Sequence, residues 1–252
     1  MNDEFLQGRV ALVTGSAART GEAILRALAD AGADVIIHYR RSGSDADTIA
    51  AELKRRGRRA LALQADFEKP GGPESLIHRL QAQMGRLDII VNNIGNYPLD
   101  PPLAQRPETM RATLETNLVA PYALVRAAMP LLERSDNAHV INLGYAGSEY
   151  PLAHARAMTY QISKTGLLIM TRSLAQVLGP KGIRVNMVSP GHLENSVDLP
   201  EDIAAHVPLG RAGAEADIAN AVKYLLSEAG GYITGANLEV SGGYRMSLSD
   251  TI

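Results

Sequence analysis

Residues 9–21 read Arg9-Val10-Ala11-Leu12-Val13-Thr14-Gly15-Ser16-Ala17-Ala18-Arg19-Thr20-Gly21. An apolar, valine-bearing run passes into a turn bracketed by two glycines, and a helix-like pattern follows from Gly21. The run suits a strand buried on both faces. Gly15 permits a sharp reversal, and Gly21 lets the next helix approach the strand closely. The first turn of that helix presents unpaired N–H groups, a ready site for a pyrophosphate. Strand, glycine turn and helix in this order open a dinucleotide-binding unit. The middle glycine of the usual three is replaced by Arg19, and Thr20 stands beside it. A cation in a phosphate turn is read as a cofactor contact.

From this unit the chain alternates β-type apolar runs with helical patterns to its end. Strands are expected at 9–14, 34–38, 60–64, 87–92, 139–143, 184–188 and 237–240, and helices at 21–31, 44–56, 73–84, 110–132, 159–178 and 215–227. Such alternation predicts an α/β fold of Rossmann type, a doubly wound parallel sheet with right-handed crossovers. No repeat, low-complexity tract or linker divides the 252 residues, so a single domain is expected. Two long connections, 95–105 and 191–213, follow strands at their carboxyl ends, where open α/β sheets bind ligands.

The second strand ends His38-Tyr39-Arg40-Arg41-Ser42. An NAD site would place a carboxylate here for the ribose 2′-OH. Two guanidinium groups and a hydroxyl suit a 2′-phosphate instead, so NADPH is expected over NADH. Asp66, at the end of strand three, is placed to accept from the adenine amino group or to cap the next helix.

Residues 160–164 read Tyr160-Gln161-Ile162-Ser163-Lys164. A phenol and an ammonium four residues apart share one helical face. A nearby ammonium favours phenolate, so Lys164 is expected to lower the Tyr160 pKa from about 10. Tyr160 then reads as a proton donor to a carbonyl or imine undergoing reduction.

Composition sets bounds. A net charge of −2 gives no reason to expect nucleic acid or an anionic membrane as a partner. With no cysteine there is no disulfide, thiolate metal site or cysteine nucleophile. Met1-Asn2-Asp3-Glu4 is acidic, and no apolar run approaches the ~18 residues needed to span a bilayer, so a cytoplasmic protein is expected. His154, His192 and His206 lie in the loops near the expected cleft without metal-ligand spacing, and no metal site is read.

The glycine turn, Asn92-Asn93-Ile94-Gly95 after strand four, Asn117, Tyr160 with Lys164, and Ser189-Pro190-Gly191 after strand six occur in the order seen in short-chain dehydrogenases/reductases. The chain resembles that family over essentially its whole length. Within it, the Arg19 turn, His-Tyr-Arg-Arg-Ser and the tail Tyr232-Ile233-Thr234-Gly235 leading to Ser241-Gly242-Gly243-Tyr244 look most like pteridine reductases, with 3-oxoacyl-carrier-protein reductases sharing most of the framework. The resemblance implies that Tyr160 protonates the substrate and that Lys164 holds the nicotinamide ribose. It implies that Asn117 bends its helix and holds a water, that Asn93 and Gly95 lie along the cofactor, and that Pro190 and Gly191 close on the nicotinamide. Thr14 and Asn92 would brace the sheet.

One position departs. The family usually carries a serine at the end of strand five, and pteridine reductases an aspartate; aligning on Val140-Ile141-Asn142-Leu143-Gly144 puts Tyr145 there. Either the Tyr145 hydroxyl reaches the substrate, or Ser148 folds back to do so, or Tyr160 acts without help. The reading is an NADPH-dependent reductase of a small C=O or C=N substrate, first a pterin-like heterocycle with Tyr97 stacking on it. The alternatives are a 3-oxoacyl thioester and a catalytically weak NADPH-binding relative. Resemblance also implies a homotetramer through helices 110–132 and 159–178, where Leu118, Tyr122, Val125, Leu167 and Met170 recur at helical spacing, facing either a partner or the sheet.

Overall fold

The computed structural model describes residues 4–151, 153 and 155–244. Among these, seven strands form one sheet: β1 (Val10–Val13), β2 (Asp34–Tyr39), β3 (Ala60–Gln64), β4 (Ile89–Asn92), β5 (His139–Leu143), β6 (Arg184–Pro190) and β7 (Asn237–Val240). Every neighbouring pair is parallel, in the order β3-β2-β1-β4-β5-β6-β7. Parallel neighbours need crossovers, and helices supply them. These are α1 (Arg19–Asp30), α2 (Gly43–Arg55), α3 (Gly72–Met84), α4 (Pro107–Leu114), α5 (Ala120–Leu132), α6 (Met158–Leu178), a short α7 (Ile203–His206) and α8 (Glu215–Leu226). The strand order reverses between β1 and β4, which opens a crevice at their carboxyl ends.

The pleat sorts the core into two layers. Ala11 and Val13 of β1 pack with Leu25 of α1 and Val222 of α8, while Val10 and Leu12 pack with Leu76 of α3 and Leu124 of α5. Each fully buried leucine or valine contributes about 1.5–3 kcal/mol by leaving water. Both faces are therefore covered, which explains why the strands read as unbroken apolar runs.

The helix expected at 110–132 is broken. Between α4 and α5 the residues Glu115–Val119 form a π-helical turn that buries Thr116 and Asn117. Of the residues expected on a sheet or partner face, Val125 and Leu167 are buried, whereas Tyr122 is 48% exposed. Ile162, Ile169 and Val177 of α6 are also exposed. No helix among the described residues is long and apolar enough to cross a membrane.

Candidate active site

A cavity of about 520 Å³ lies at the carboxyl ends of the central strands. The phosphate turn (Gly15, Arg19, Thr20) walls one end; Tyr97, Tyr145, Tyr160 and Asp198 wall the other, with Pro190 and Gly191 alongside. Helix α6 carries Tyr160 and Lys164 one turn apart on the face turned to the sheet. Lys164 is buried, and its Nζ donates to the Leu143 carbonyl at 2.7 Å. A Cβ on Gly95 would sit 3.2 Å from that Nζ, so a side chain there would press on the ammonium. The loop after β4, the end of β5 and α6 thus meet at one cation.

Burial lowers the Lys164 pKa to about 8. Burial also raises the Tyr160 phenol above its ordinary value, and Tyr145 and Asp198 push it further in the same direction. This corrects the expectation that Lys164 holds the phenol low: the Nζ lies 5.8 Å from the Tyr160 ring centroid, and burial, not the ammonium, sets the direction of the shift. Tyr160 is accordingly a protonated phenol at neutral pH.

Asn117 stands behind this pair, fully buried in the π turn. Its Oδ1 accepts from the Asn96 N–H at 2.7 Å, and its Nδ2 donates to the Asn96 carbonyl at 2.9 Å and to Ser163 Oγ at 3.0 Å. The π turn is what aims the amide at the loop after β4. Tyr145 lines the cavity, its ring 5.8 Å from that of Tyr160. Ser148 does not reach the cavity: it is buried, and its Oγ donates to the Tyr145 carbonyl at 2.5 Å. Of the two hydroxyls weighed as substitutes for the missing serine, the structure brings only Tyr145 beside Tyr160.

In the phosphate turn Gly15 has φ +63° and donates its N–H to His38 Nδ1 at 3.1 Å. A Cβ on Gly21 would lie 2.3 Å from the Gly15 carbonyl oxygen, so helix and turn can approach only with glycine there. Arg19 has φ +55°, the one non-glycine residue in that region among those described. Its guanidinium donates to the Asn195 carbonyl across the cavity mouth. Asn93 donates from Nδ2 to the Thr14 carbonyl at 2.9 Å, tying the β4 loop to the turn. Thr14 and Asn92 brace the sheet, the latter donating to Asn142 Oδ1 at 2.8 Å.

Tyr39, Arg40, Arg41, Ser42 and Asp66 gather at the carboxyl ends of β2 and β3, beyond the cavity's lining. Arg40 pairs with Glu68 at 2.5 Å and lies 3.9 Å from Asp66. The Tyr39 ring covers Gly43, whose Cβ would lie 3.2 Å from it. Asp66 Oδ1 accepts from the Glu68 N–H at 3.1 Å; the α3 N-cap is Gly71, so Asp66 does not cap that helix.

The chain matches the family model described as Enoyl-(Acyl carrier protein) reductase over residues 15–245. It is 33% identical over 246 residues to the 3-oxoacyl-(acyl-carrier-protein) reductase of Escherichia coli (strain K12), covering 95% of this chain and 98% of that one. The chain belongs to the short-chain dehydrogenase/reductase family. Among solved structures of similar proteins, a blue fluorescent protein from a metagenomic library in complex with NADPH superposes with TM-score 0.90 at 34% identity, covering 97% of this chain and 100% of that one. The landomycin C-6 ketoreductase with bound NADP and rabelomycin does so with TM-score 0.87 at 31% identity, covering 96% and 98%.

As a short-chain dehydrogenase/reductase the chain shows features its sequence did not disclose. Tyr97 does enter the cavity, but its ring packs edge-on against Tyr160, centroids 4.5 Å apart, and its hydroxyl donates to Asp198 at 2.6 Å. The 191–213 loop is tied down at two points: Arg19 holds it at Asn195, and Leu193 bridges to Gly213. His192 lines the cavity and meets the Tyr244 ring edge-on at 4.9 Å. His206 pairs with Asp202, and His154 lies outside the described residues. His38, a histidine inside the buried run Asp34–Tyr39, accepts the Gly15 N–H and so belongs to the phosphate turn's support.

Proposed function

We propose that this chain is an NADPH-dependent reductase of a planar, conjugated C=O or C=N compound of pterin-like size, with Tyr160 as proton donor. The observation that carries the reading is the cluster of Tyr97, Tyr145 and Tyr160 around one end of the cavity. Flat aromatic walls bury flat substrates best. The residues present fit the cofactor: Gly15 and Gly21 leave the N–H edge of α1 open to a pyrophosphate, and Arg19 and Arg41, with Arg40 once released from Glu68, would supply cations to its phosphates. Asp66 would accept from the adenine, and Asn93, Gly95, Lys164, Pro190 and Gly191 would hold the nicotinamide half. When bound, the nicotinamide supplies the hydride.

The chain's own residues do the rest. Tyr160, kept protonated by burial, gives its proton to the substrate oxygen or nitrogen. The Tyr145 hydroxyl donates to the same atom, in the place where the family usually carries serine. The Lys164 ammonium stabilises the phenolate that Tyr160 leaves behind, and Asn117 fixes the loop that positions Gly95 against it.

The relatives support a second substrate, a 3-oxoacyl thioester. Arg106, Arg111 and Arg126 are exposed and available to an acidic carrier, although Arg111 already pairs with Glu108. NADPH oxidation with a dihydropterin beside an acetoacetyl thioester separates the two, with Tyr160→Phe as the control. Pterin turnover lost in the mutant upholds the first reading, and thioester turnover alone replaces it with the second. Activity that survives Tyr160→Phe removes Tyr160 from its role. The exposed faces of α5 and α6, with Tyr122, Ile162, Ile169 and Val177, are proposed as the contacts of a homotetramer, which a monomer mass at micromolar concentration would exclude.

A further inference from the structure

We propose that Asp198, held by Tyr97, is a specificity-determining site that selects substrates bearing a paired N–H edge or a cationic nitrogen. The inference rests on the reductase reading above. Among the described lining residues the charged side chains are Arg19 in the phosphate turn, Lys164 one helical turn from Tyr160, and Asp198, the only carboxylate, which Tyr97 holds beside the aromatic cluster. The Tyr97 hydroxyl donates to Asp198 Oδ2 at 2.6 Å, and the Tyr97 ring packs against Tyr160 with centroids 4.5 Å apart. One aromatic ring therefore sets the distance between the carboxylate and the proton donor.

An ionised carboxylate has room for about four hydrogen bonds. One donor from Tyr97 leaves acceptor capacity, and Oδ1 receives no donor from the described residues. The field of Asp198 also reaches the Tyr160 phenol, so the two groups share one environment. A planar substrate with two adjacent N–H groups, as in an amidine or a 2-aminopyrimidine, can place that edge on Asp198 in a charge-assisted, bidentate contact. Its reducible bond is then directed along the Tyr97 ring toward Tyr160. An anionic or purely acceptor-bearing head meets repulsion at the same point, so the carboxylate excludes as well as selects.

The test is a pair of ligand titrations on the NADPH-loaded protein, read by calorimetry rather than turnover. Benzamidine is planar, cationic and carries the paired N–H edge; acetophenone is similar in shape and lacks it. In Asp198→Asn, benzamidine should bind about tenfold or more weakly than in wild type, with acetophenone unchanged within about twofold. Asp198→Glu should recover part of the benzamidine affinity, and Tyr97→Phe should lose less than Asp198→Asn. Equal benzamidine affinity in wild type and Asp198→Asn overturns the proposal, as does parallel loss of both ligands or no benzamidine binding to wild type. Selectivity that persists in a protein without Tyr160-dependent turnover would uphold Asp198 as the recognition site while removing the reductase reading, so the two failures are distinct.

Discussion

The side-chain amide of Asn117 closes on both backbone groups of Asn96, accepting from its N–H at 2.7 Å and donating to its carbonyl at 2.9 Å. That pairing locks the segment between Gly95, which abuts Lys164, and Tyr97, which abuts Tyr160. Two of the groups assigned to the reaction are thus positioned by an amide that does not line the cavity.

Asn117→Ala should therefore lower stability by about 1–3 kcal/mol, through buried N–H and C=O groups left without partners. It should also lower kcat more than it raises the KM for NADPH. Urea titration and steady-state kinetics check this; unchanged kcat would remove Asn117 from the positioning role.

Tyr145→Phe keeps the ring beside Tyr160 and deletes the hydroxyl. If that hydroxyl donates to the developing charge, kcat should fall ~10²–10³-fold with NADPH affinity intact. Tyr145→Ser, which restores the usual residue of the family, should retain more activity toward small ketones than Tyr145→Phe. A Phe variant as fast as wild type would leave Tyr145 as wall alone.

Lys164 loses its charge as pH rises through about 8, because burial disfavours the ammonium. The pH profile of kcat/KM should show an alkaline limb near that value. In Lys164→Arg the guanidinium stays charged, so the limb should move out of range while overall activity drops. An alkaline limb identical in both proteins would assign the ionisation elsewhere.

His38 links the phosphate turn to β3: Nδ1 accepts from the Gly15 N–H, and Nε2 donates to the Ala65 carbonyl at 3.1 Å. Its ring also stacks on Phe67. Burial lowers its pKa to about 4. The folded value lies below the unfolded value of about 6.5, so the unfolded chain takes the proton first. The stabilisation is complete above pH ~6.5 and is lost as pH falls toward about 4, a loss of roughly 3 kcal/mol. In His38→Gln the difference in unfolding free energy between pH 7 and pH 4, from urea titration, should shrink by a comparable amount. A wild-type-like acid slope in the variant would show that other groups, such as buried His139, dominate.

The seven strands were legible because each is buried on both faces and leaves a continuous apolar run. Their ends were less so: β1 and β4 are shorter than their runs, and β6 continues to Pro190, where it pairs with Val240. The residues of the π turn, Glu115-Thr116-Asn117-Leu118-Val119, contain neither Gly nor Pro, so the bend at Asn117 was legible only through the family resemblance. In the folded chain Asn117 reaches Asn96 from that turn. The Tyr160–Lys164 pair was legible from its one-turn spacing. The direction of the Tyr160 pKa was not, since burial, Tyr145 and Asp198 set it, and Asp198 is held near the site by Tyr97, 101 residues away from it in sequence.

Arg19 stands at φ +55°, where a side chain costs about 1–2 kcal/mol and glycine costs nothing. A laboratory selection for heat resistance alone should therefore drift toward glycine at this position. The same drift would cut the tie from the phosphate turn to the loop carrying Asp198. Thermostable variants recovered that way should then discriminate poorly among substrates, so a breeding scheme for this enzyme needs a screen for selectivity from its first round.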